Sequence, residues 1–460
     1  MIKMLTNYQT RDLESLIHPY TNAMAIKTTG AHFVEKGDGI YVYDNENKRY
    51  LEGMSGLWCC GLGFSDPELI EAAKLQIEKL PYYHLFSGRS HEPAVELAEK
   101  IKELAPGHMS RVFYQSSGSE ANESQIKLAW YYNNAKGRRN KKKIISRKKG
   151  YHGVSIVSAS LTGLPYNHKD FDLPLDFVKH TETPHFWREK IEGETEKDFA
   201  LRLAKSLEEL LLNEDPDTVA AFIAEPVMGA GGVIVPPESY FEEIGKVLKK
   251  YDIIAISDEV ICGFGRTGEW FGSQTLGMSP NSISMAKQLT AGYAPLSAVA
   301  IDNEMANVIE EHTGTLGTFG HGFTYGGHPV GCAVGIKALE IYQERNILQN
   351  VRNLSSIFKS KLNSFSDHDI VGEARSLGLM GALELTPNKT PTPFKEPGKV
   401  GAKMASELLN KGIMIRAIGD SVAFCPPMII TEQQLDELFE PVKKALDATR
   451  DWAFAEGILD

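Results

Sequence analysis

The sequence predicts an α/β fold, with a mainly parallel sheet in a large domain and a smaller α+β domain beside it. The chain has 460 residues, which is too long for one ordinary domain. Its middle part alternates short apolar runs with amphipathic helices, as in a parallel sheet covered on both faces. After Gly331 this alternation stops. We therefore expect a large domain over residues 50–330 and a small domain built from residues 1–49 and 331–460.

The first predicted elements are a hairpin and a helix. Residues 39–53 (GIYVYDNENKRYLEG) contain two alternating runs joined by a polar turn, which indicates two antiparallel strands. Asp66 and Pro67 begin a helix. Its predicted buried face consists of Ile70, Ala73, Ile77 and Leu80. Residues 111–115 (RVFYQ) predict a strand that leads into another helix.

A strand, a helix and a parallel strand follow. Residues 219–224 (VAAFIA) and 253–257 (IIAIS) predict buried strands. The helix between them carries apolar residues at helical spacing: Tyr240, Phe241, Ile244, Val247 and Leu248. After Gly331 the patterns predict two helices, a strand (GLMGALEL), a helix (KVGAKMASELLNKG), a strand (IMIRAI) and a final helix from Thr431.

Composition and charge favour a folded protein with small-molecule partners. The chain is 42% apolar and 24% charged, which excludes a disordered or fibrous protein. Its net charge of −11 opposes binding to nucleic acid or anionic membrane. The basic run over residues 136–149 is predicted to be a solvated loop.

The sequence also bears on compartment and metal content. No apolar run approaches the ~18 residues of a membrane span, and the first residues do not have the pattern of a signal peptide. We therefore expect a cytoplasmic protein. The five cysteines show no metal-ligand spacing, so we expect reduced core thiols and no metal site.

Residues 116–122 (SSGSEAN) form a first candidate site, where a strand ends and a helix begins. The free N–H groups of a helix start, a glycine and the Ser119 hydroxyl suit a phosphate. Serine and glycine are also ordinary capping residues, so this segment alone does not decide between the two roles.

Asp258 is a second candidate, since it follows an apolar strand at the edge where α/β sheets bind ligands. A helix cap or an ion pair is the alternative for this carboxylate. The neighbouring acid, Glu259, points to the other side of the strand by alternation.

Lys287 is the third candidate and the lone charged residue between Gly272 and Ile301. Burying an ammonium is costly without a role. The alternatives are a lysine that reaches solvent from a loop, or an amine that bonds covalently to a carbonyl compound.

An anion-binding helix start, a strand-end acid and a sequestered lysine together meet the needs of pyridoxal phosphate. The lysine holds the aldehyde, the acid keeps the ring nitrogen protonated and the helix start anchors the phosphate. A nicotinamide enzyme of the Rossmann type is the rival class. Against it, the GAGG run at 229–232 does not have the G-x-G-x-x-G spacing, and Lys287 would have no role.

Five motifs resemble those of the class III pyridoxal-phosphate aminotransferases in order and spacing. They are SGSEAN (117–122), GYHG (150–153), EPVMGAGG (225–232), DEVICGFGRTG (258–268) and the Lys287 segment. The likeness covers nearly the whole chain. It implies a fold-type I transferase with a seven-stranded sheet in the large domain, and a homodimer with shared sites or a tetramer that contains such dimers.

The resemblance also implies roles for individual residues. Lys287 would carry the cofactor and move the substrate proton, and Asp258 would pair with the ring nitrogen. The implied cofactor-binding set is Gly118, Ser119, Tyr151, His152, Glu225, Asp258, Val260, Lys287 and Thr324, with Thr324 supplied by the second subunit.

Residues around the substrate resemble the amine:pyruvate, or ω-amine, branch of the family. The implied substrate-binding set is Tyr20, Leu57, Trp58, Phe86, Tyr151 and Arg416, with Phe86 from the partner. Arg416 would bind the carboxylate of pyruvate or of an amino acid; a fixed salt bridge to Asp420 is the alternative.

The expected reaction moves an amino group from an amine or ω-amino acid to pyruvate in two half-reactions at one site. Alternatives are a biotin-pathway 7,8-diaminononanoate aminotransferase, a β-alanine, taurine or 4-aminobutyrate:pyruvate transaminase, an aminomutase of the same fold, and a catalytically silent cofactor-binding protein.

Overall fold

The computed structural model describes residues 5–459. Its strands in chain order are β1 (Val34–Asp38), β2 (Tyr41–Asp44), β3 (Arg49–Glu52), β4 (Met109–Gln115), β5 (Lys143–Arg147), β6 (Val178–Thr181), β7 (Val219–Ala224), β8 (Ile254–Asp258), β9 (Ser282–Met285), β10 (Ser297–Asp302), β11 (Val371–Leu377), β12 (Met380–Leu385), β13 (Ile413–Met414), β14 (Arg416–Ile418) and β15 (Ser421–Phe424).

The helices are α1 (Asn7–Ser15), α2 (Ala23–Thr29), α3 (Ser55–Trp58), α4 (Pro67–Lys79), α5 (Glu92–Leu104), α6 (Gly118–Ala135), α7 (Ile156–Leu161), α8 (Phe186–Glu189), α9 (Glu196–Glu214), α10 (Tyr240–Lys250), α11 (Gly272–Thr275), α12 (Asn303–Leu316), α13 (Pro329–Glu344), α14 (Ile347–Asn363), α15 (Lys399–Asn410), α16 (Glu432–Phe439) and α17 (Val442–Ala455). Four short 3₁₀ turns add to them in the described part of the chain, one of which spans Lys287–Thr290.

A seven-stranded sheet forms the centre, in the order β4-β10-β9-β8-β7-β5-β6. Five of its strands, β5 to β9, pair in parallel, whereas β10 is antiparallel to both β9 and β4. Because β10 reverses direction between them, β4 again runs in the direction of β9. The predicted mainly parallel sheet is confirmed, and the ends of β4, β8 and β9 meet at one edge.

The β7–α10–β8 unit matches its prediction closely. All six residues of β7 are buried, as are all five of β8. Helix α10 buries the five residues that its spacing indicated: Tyr240, Phe241, Ile244, Val247 and Leu248. Because successive strand residues point to opposite faces, both faces of β7 and β8 are covered, as is usual for parallel strands.

The predicted buried face of α4 is wrong. The helix begins as expected, with the Asp66 carboxylate accepting hydrogen bonds from the backbone of Glu68 and Leu69. However, α4 packs on α13 and buries Leu69 and Gln76, while Ile77 is 53% exposed. The helix carries apolar residues on two adjacent stripes, and spacing alone does not select between them.

Two smaller four-stranded sheets hold the remaining strands, in the orders β1-β2-β3-β13 and β11-β12-β15-β14. The predicted hairpin is β2–β3, confirmed as an antiparallel pair. The predicted strand IMIRAI is instead two strands, because β13 pairs with β3 and β14 pairs with β15. Pro441 divides the predicted final helix into α16 and α17. The domain boundaries stay a prediction.

The basic run over residues 136–149 is more structured than the solvated loop predicted for it. It contains β5, and the Arg147 side chain is fully buried. The Arg147 guanidinium donates to the backbone carbonyl of Glu225 and lies against the Tyr240 ring. Lys141 is also buried and donates to the carbonyls of Tyr251 and Asp252. Among residues 5–459, no helix combines the length and apolarity needed to cross a bilayer.

Candidate active site

A cavity of about 360 Å³ opens at the sheet edge where β4, β8 and β9 end. Eight of the nine residues in the predicted cofactor-binding set line it: Gly118, Ser119, Tyr151, His152, Glu225, Asp258, Val260 and Lys287. These residues come from five separate segments of the chain. The sheet therefore brings together groups that up to 169 positions separate in the sequence.

Asp258 lies at the base of the cavity and is 3% exposed. Its Oδ2 accepts hydrogen bonds from Asn122 Nδ2 (2.7 Å) and His152 Nδ1 (2.8 Å), and its Oδ1 accepts from the Val260 amide (3.1 Å). Within residues 5–459 it pairs with no lysine or arginine. A buried carboxylate that is oriented but lacks a strong cation suits a ligand with a protonated ring nitrogen.

Glu259 faces away from the cavity, as strand alternation predicts. Its carboxylate is fully buried and accepts hydrogen bonds from the amides of Gly272 (2.9 Å) and Ser273 (2.8 Å) at the start of α11. Burial raises the pKa of Glu259, and these donors oppose that effect. The two adjacent acids therefore have different surroundings: one at the cavity, the other at a helix start.

Lys287 follows β9 and begins a 3₁₀ turn. Its φ angle of +46° lies in the left-handed region, which is costly for a residue with a Cβ. Asp258 is paired with Ser284 across β8 and β9, so the register of these strands sets where the lysine emerges. Both residues line the same cavity.

The start of α6 forms the third wall. Ser117 caps the helix, and the Glu120 side chain accepts from the amides of Ser116 and Ser117. The amides of Gly118 and Ser119 precede the first intrahelical bond, from Ala121 N to Ser117 O. A Cβ on Gly118 would lie 3.0 Å from Val260 Cγ1, so glycine allows the helix start to pack against Val260.

Glu225 and Tyr151 close the cavity on another side. The buried Glu225 carboxylate accepts hydrogen bonds from the Tyr151 amide (2.9 Å) and the Gly229 amide (2.9 Å). Burial is the main cause that raises the pKa of Glu225, and the charge of Asp258 adds to it. Burial also raises the pKa of the Tyr151 hydroxyl, with a further contribution from Tyr20 and an opposing one from Arg416.

Of the predicted substrate set, only Tyr151 lines the cavity itself. The other members lie outside its lining, in two groups. In the first, Tyr20 and Arg416 act on Tyr151 electrostatically, and Asn167 Nδ2 donates to the Tyr20 hydroxyl (2.7 Å). Leu57 and Trp58 belong to residues 53–61, a segment that contains the irregular short helix α3 and is here called the pocket loop. Leu57 is 57% exposed and Trp58 is buried, whereas Cys59 of the same loop lines the cavity.

The second group is Phe86, which also lies outside this cavity, as does Thr324 of the predicted cofactor-binding set. Phe86 packs on the segment around Gly322, where an added Cβ would lie 2.9 Å from its ring. The Thr324 carbonyl accepts a hydrogen bond from the Tyr82 hydroxyl (2.8 Å). Phe86 also lines a separate surface cavity of about 1160 Å³ together with residues 318–323.

Arg416 is half-buried on β14 and forms no ion pair with any residue in the described part of the chain. The alternative partner, Asp420, instead accepts from the amides of Gly398 (2.7 Å) and Gly401 (2.9 Å) at the start of α15. The geometry thus argues against a fixed Arg416–Asp420 salt bridge.

Three further residues near the site have roles that the sequence did not indicate. Asn122 orients Asp258 through its side-chain amide. Its motif, SGSEAN, was recognised in the sequence, but this role of the asparagine was not. Glu52 accepts a hydrogen bond from the amide of Gly56 in the pocket loop, and burial raises its pKa to about 7. Gln288 bonds the pocket loop from beside Lys287. The sequence signal that could have identified Gln288 is its position as a polar residue within an apolar run.

Comparison with known proteins identifies the family. The model of the family "Aminotransferase class-III" matches residues 24–446. A gamma-aminobutyrate transaminase 1 (mitochondrial) of Oryza sativa subsp. japonica is 48% identical over 438 residues, covering 95% of this chain and 85% of that protein. A gamma-aminobutyrate transaminase 3 (chloroplastic) of Solanum lycopersicum is 49% identical over 418 residues, covering 90% and 80%.

Solved structures give the same result. The omega transaminase of Pseudomonas jessenii in complex with PMP superimposes with a TM-score of 0.96 at 48% identity, covering 97% of this chain and 99% of that chain. A transaminase with L-alanine superimposes with a TM-score of 0.90 at 51% identity, covering 91% and 99%. The predicted fold-type I architecture and the pyridoxal phosphate cofactor are confirmed. The chain belongs to the class III aminotransferases.

Proposed function

We propose that this aminotransferase moves an amino group from an amine or ω-amino acid to pyruvate, with both half-reactions at one site. The observation that carries the proposal is Arg416, a half-buried cation without an ion pair among the described residues and close enough to act on Tyr151 at the cavity wall. A guanidinium in this setting suits a substrate carboxylate. The apolar pocket loop beside the cavity suits the carbon substituent of an amine.

The cavity fits pyridoxal phosphate. When bound, this cofactor supplies an electron sink that stabilises negative charge at the substrate Cα. We propose that Asp258, held by Asn122 and His152, keeps the ring nitrogen protonated. Lys287 would hold the cofactor aldehyde at rest and, when released by a substrate amine, move a proton from the substrate Cα.

The remaining cavity residues would bind and orient the cofactor. Gly118 and Ser119 offer free helix-start amides to the phosphate. Tyr151 and Val260 would cover the two ring faces, and Glu225 would organise the hydrogen bonds beside the ring hydroxyl. Both Tyr151 and Val260 line the cavity, which supports this assignment.

We propose a homodimer in which Phe86 and Thr324 of one copy complete the cavity of the other. Two observations support it. Both residues lie outside the cavity of their own chain, and Phe86 is 46% exposed beside a second large cavity. Assembly to a tetramer is compatible with the same interface.

A 4-aminobutyrate donor is the second candidate substrate, because the curated relatives at 48–49% identity are named gamma-aminobutyrate transaminases. Arg416 would then bind the donor carboxylate as well as that of pyruvate. For the compartment we propose the cytoplasm. The five free cysteines support a reducing compartment, while the relatives' names include mitochondrial and chloroplastic forms.

The visible absorption spectrum tests the proposed reaction. We expect a band from the lysine-bound cofactor that bleaches when 1-phenylethylamine is added and returns when pyruvate follows. Both changes are expected because one site serves donor and acceptor in turn. A band that bleaches with 4-aminobutyrate and not with 1-phenylethylamine would select the second candidate. A band that no amino donor bleaches would contradict the proposal.

Replacing Arg416 by alanine separates the two substrates. We expect kcat/KM for pyruvate to fall about a hundredfold, because a charged two-point contact to the carboxylate is lost. For 1-phenylethylamine, which has no carboxylate, we expect a change of less than about threefold. Steady-state kinetics with each substrate varied in turn measure both values. Equal losses for the two substrates would make Arg416 a structural residue.

A further inference from the structure

Gln288 follows Lys287 directly and has a fully buried side chain. Lys287 lines the cavity, whereas Gln288 is turned away from it towards the pocket loop. Its Nε2 donates to the Trp58 carbonyl (3.1 Å), and its Oε1 accepts from the Gly61 amide (3.0 Å). One side chain therefore bonds the pocket loop at two points, three residues apart.

Tyr342 on α13 supports this arrangement from behind. Its buried hydroxyl lies 3.0 Å from the Gln288 carbonyl and 3.2 Å from Gln288 Oε1. The hydroxyl hydrogen is thus shared between the backbone and the side chain of one residue. Tyr342 limits the rotation of the Gln288 amide without touching the cavity.

The two segments also approach closely through glycines. A Cβ on Gly61 would lie 2.2 Å from Gln288 Oε1 and 2.7 Å from Met428 Cε. A Cβ on Gly292, in the turn that follows Lys287, would lie 3.0 Å from Cys60 Sγ and 3.1 Å from Cys59 Cβ. A side chain at either position would push the pocket loop away from the lysine turn.

Both segments contain residues in costly backbone conformations. Lys287 has a φ of +46°, while Ser55 and Trp58 in the pocket loop have φ angles of +50° and +64°. Such conformations are unfavourable for residues with a Cβ and persist where the surroundings hold them. The hydrogen bonds of Gln288 join the strained lysine turn to the strained pocket loop.

We propose that Gln288 is a positioning residue for the amine substrate, which fixes the pocket loop relative to Lys287. The loop carries Cys59, which lines the cavity directly after Leu57 and Trp58, so its position sets the wall that an amine substituent meets while its nitrogen reaches the lysine-bound cofactor. The inference rests on the proposed function, since it takes the pocket loop as the wall of the amine site. It adds a residue that touches neither cofactor nor substrate.

A role confined to core stability has different consequences. If Gln288 merely satisfied buried polar groups, its loss would lower stability and reduce activity towards all donors alike. If it positions the loop, its loss shifts the wall, and donors that press on the wall suffer most. A bulky and a small amine therefore distinguish the two roles.

The test compares Gln288→Met with wild type and with Gln76→Met as a matched control. Gln76 is a buried glutamine on α4 that donates to the Leu80 carbonyl, away from the cavity. We expect Gln288→Met to lower kcat/KM about tenfold or more for 1-phenylethylamine and less than about threefold for isopropylamine. Amide hydrogen exchange over residues 53–61 should become faster in the cofactor-free enzyme as well as in the loaded enzyme.

Tyr342→Phe provides a second variant of nearly identical shape. It removes the hydroxyl that contacts Gln288 Oε1 and changes no residue of the pocket loop. Amide hydrogen exchange over residues 53–61 should therefore become faster than in wild type, by a smaller factor than in Gln288→Met. This variant decides the matter if Gln288→Met does not fold. Unchanged exchange in folded Tyr342→Phe, or equal losses for both amines in Gln288→Met, would overturn the proposal. If wild type used neither amine, the simple-amine part of the proposed function would fail, while the exchange measurement would still decide whether Gln288 holds the loop.

Discussion

Alanine in place of Lys287 is expected to reduce turnover by about 10⁴-fold or more. The substitution removes the amine that holds the cofactor aldehyde and also the group that moves the substrate proton. Spectroscopy should show the loss of the lysine-bound cofactor band. Added methylamine should restore part of the turnover, because a free amine can take over proton transfer in the space that the side chain leaves.

Lys149→Ala is the control for this substitution. Lys149 is half-buried two residues before Tyr151, shares the left-handed backbone conformation of Lys287 (φ +63°), and does not line the cavity. We expect it to keep both the band and the turnover. The Lys287→Ala protein should assemble as wild type does. A folded Lys287→Ala protein that still transfers amino groups at the wild-type rate would contradict the assignment.

Asparagine in place of Asp258 is expected to lower kcat about 10³-fold. Its amide nearly matches the carboxylate in shape but carries no charge, so it cannot keep the cofactor ring nitrogen protonated. The hydrogen bonds from His152 and Asn122 would also lose a charged acceptor. Single-turnover kinetics monitored at the cofactor band measure this effect separately from substrate binding.

The adjacent acid supplies the matched control. Glu259→Gln changes a buried carboxylate on the next residue, which faces the amides of Gly272 and Ser273 instead of the cavity. We expect lower thermal stability with nearly wild-type kcat per folded protein. Similar losses of kcat in both variants would show that the chemistry does not distinguish the two acids, and Asp258 would lose its proposed role.

The sequence correctly predicted those parts of the fold in which the spacing of apolar residues defines a single buried face. The β7–α10–β8 unit is such a case, because α10 has a single apolar face and both strands are buried throughout. Helix α4 has two competing apolar stripes, and its packing on α13 decided between them. The strand IMIRAI divided because two sheets compete for adjacent residues.

The candidate site was predictable to a similar extent. Asp258, Lys287 and the start of α6 each occupy a sequence position with a chemical meaning: a strand end, an apolar run and a helix cap. The contacts of Gln288 with Trp58 and Gly61 span more than 220 positions, and the pairing of Arg147 with Glu225 spans 78. Such contacts depend on the completed sheet, so no local pattern contains them.

The close fit between Gln288 and Gly61 limits how the substrate range of this protein can be redesigned. Residues 53–61 cannot be exchanged independently of the rest of the protein. A loop transplanted from another protein must keep a glycine at position 61, and that glycine must contact the side-chain amide of Gln288. Libraries that randomise Leu57 and Trp58 leave the contact between Gln288 and Gly61 intact. In libraries that also vary Gly61 or Gln288, most variants would have a displaced pocket loop. The effect of a new side chain on the substrate range would then be combined with the effect of that displacement.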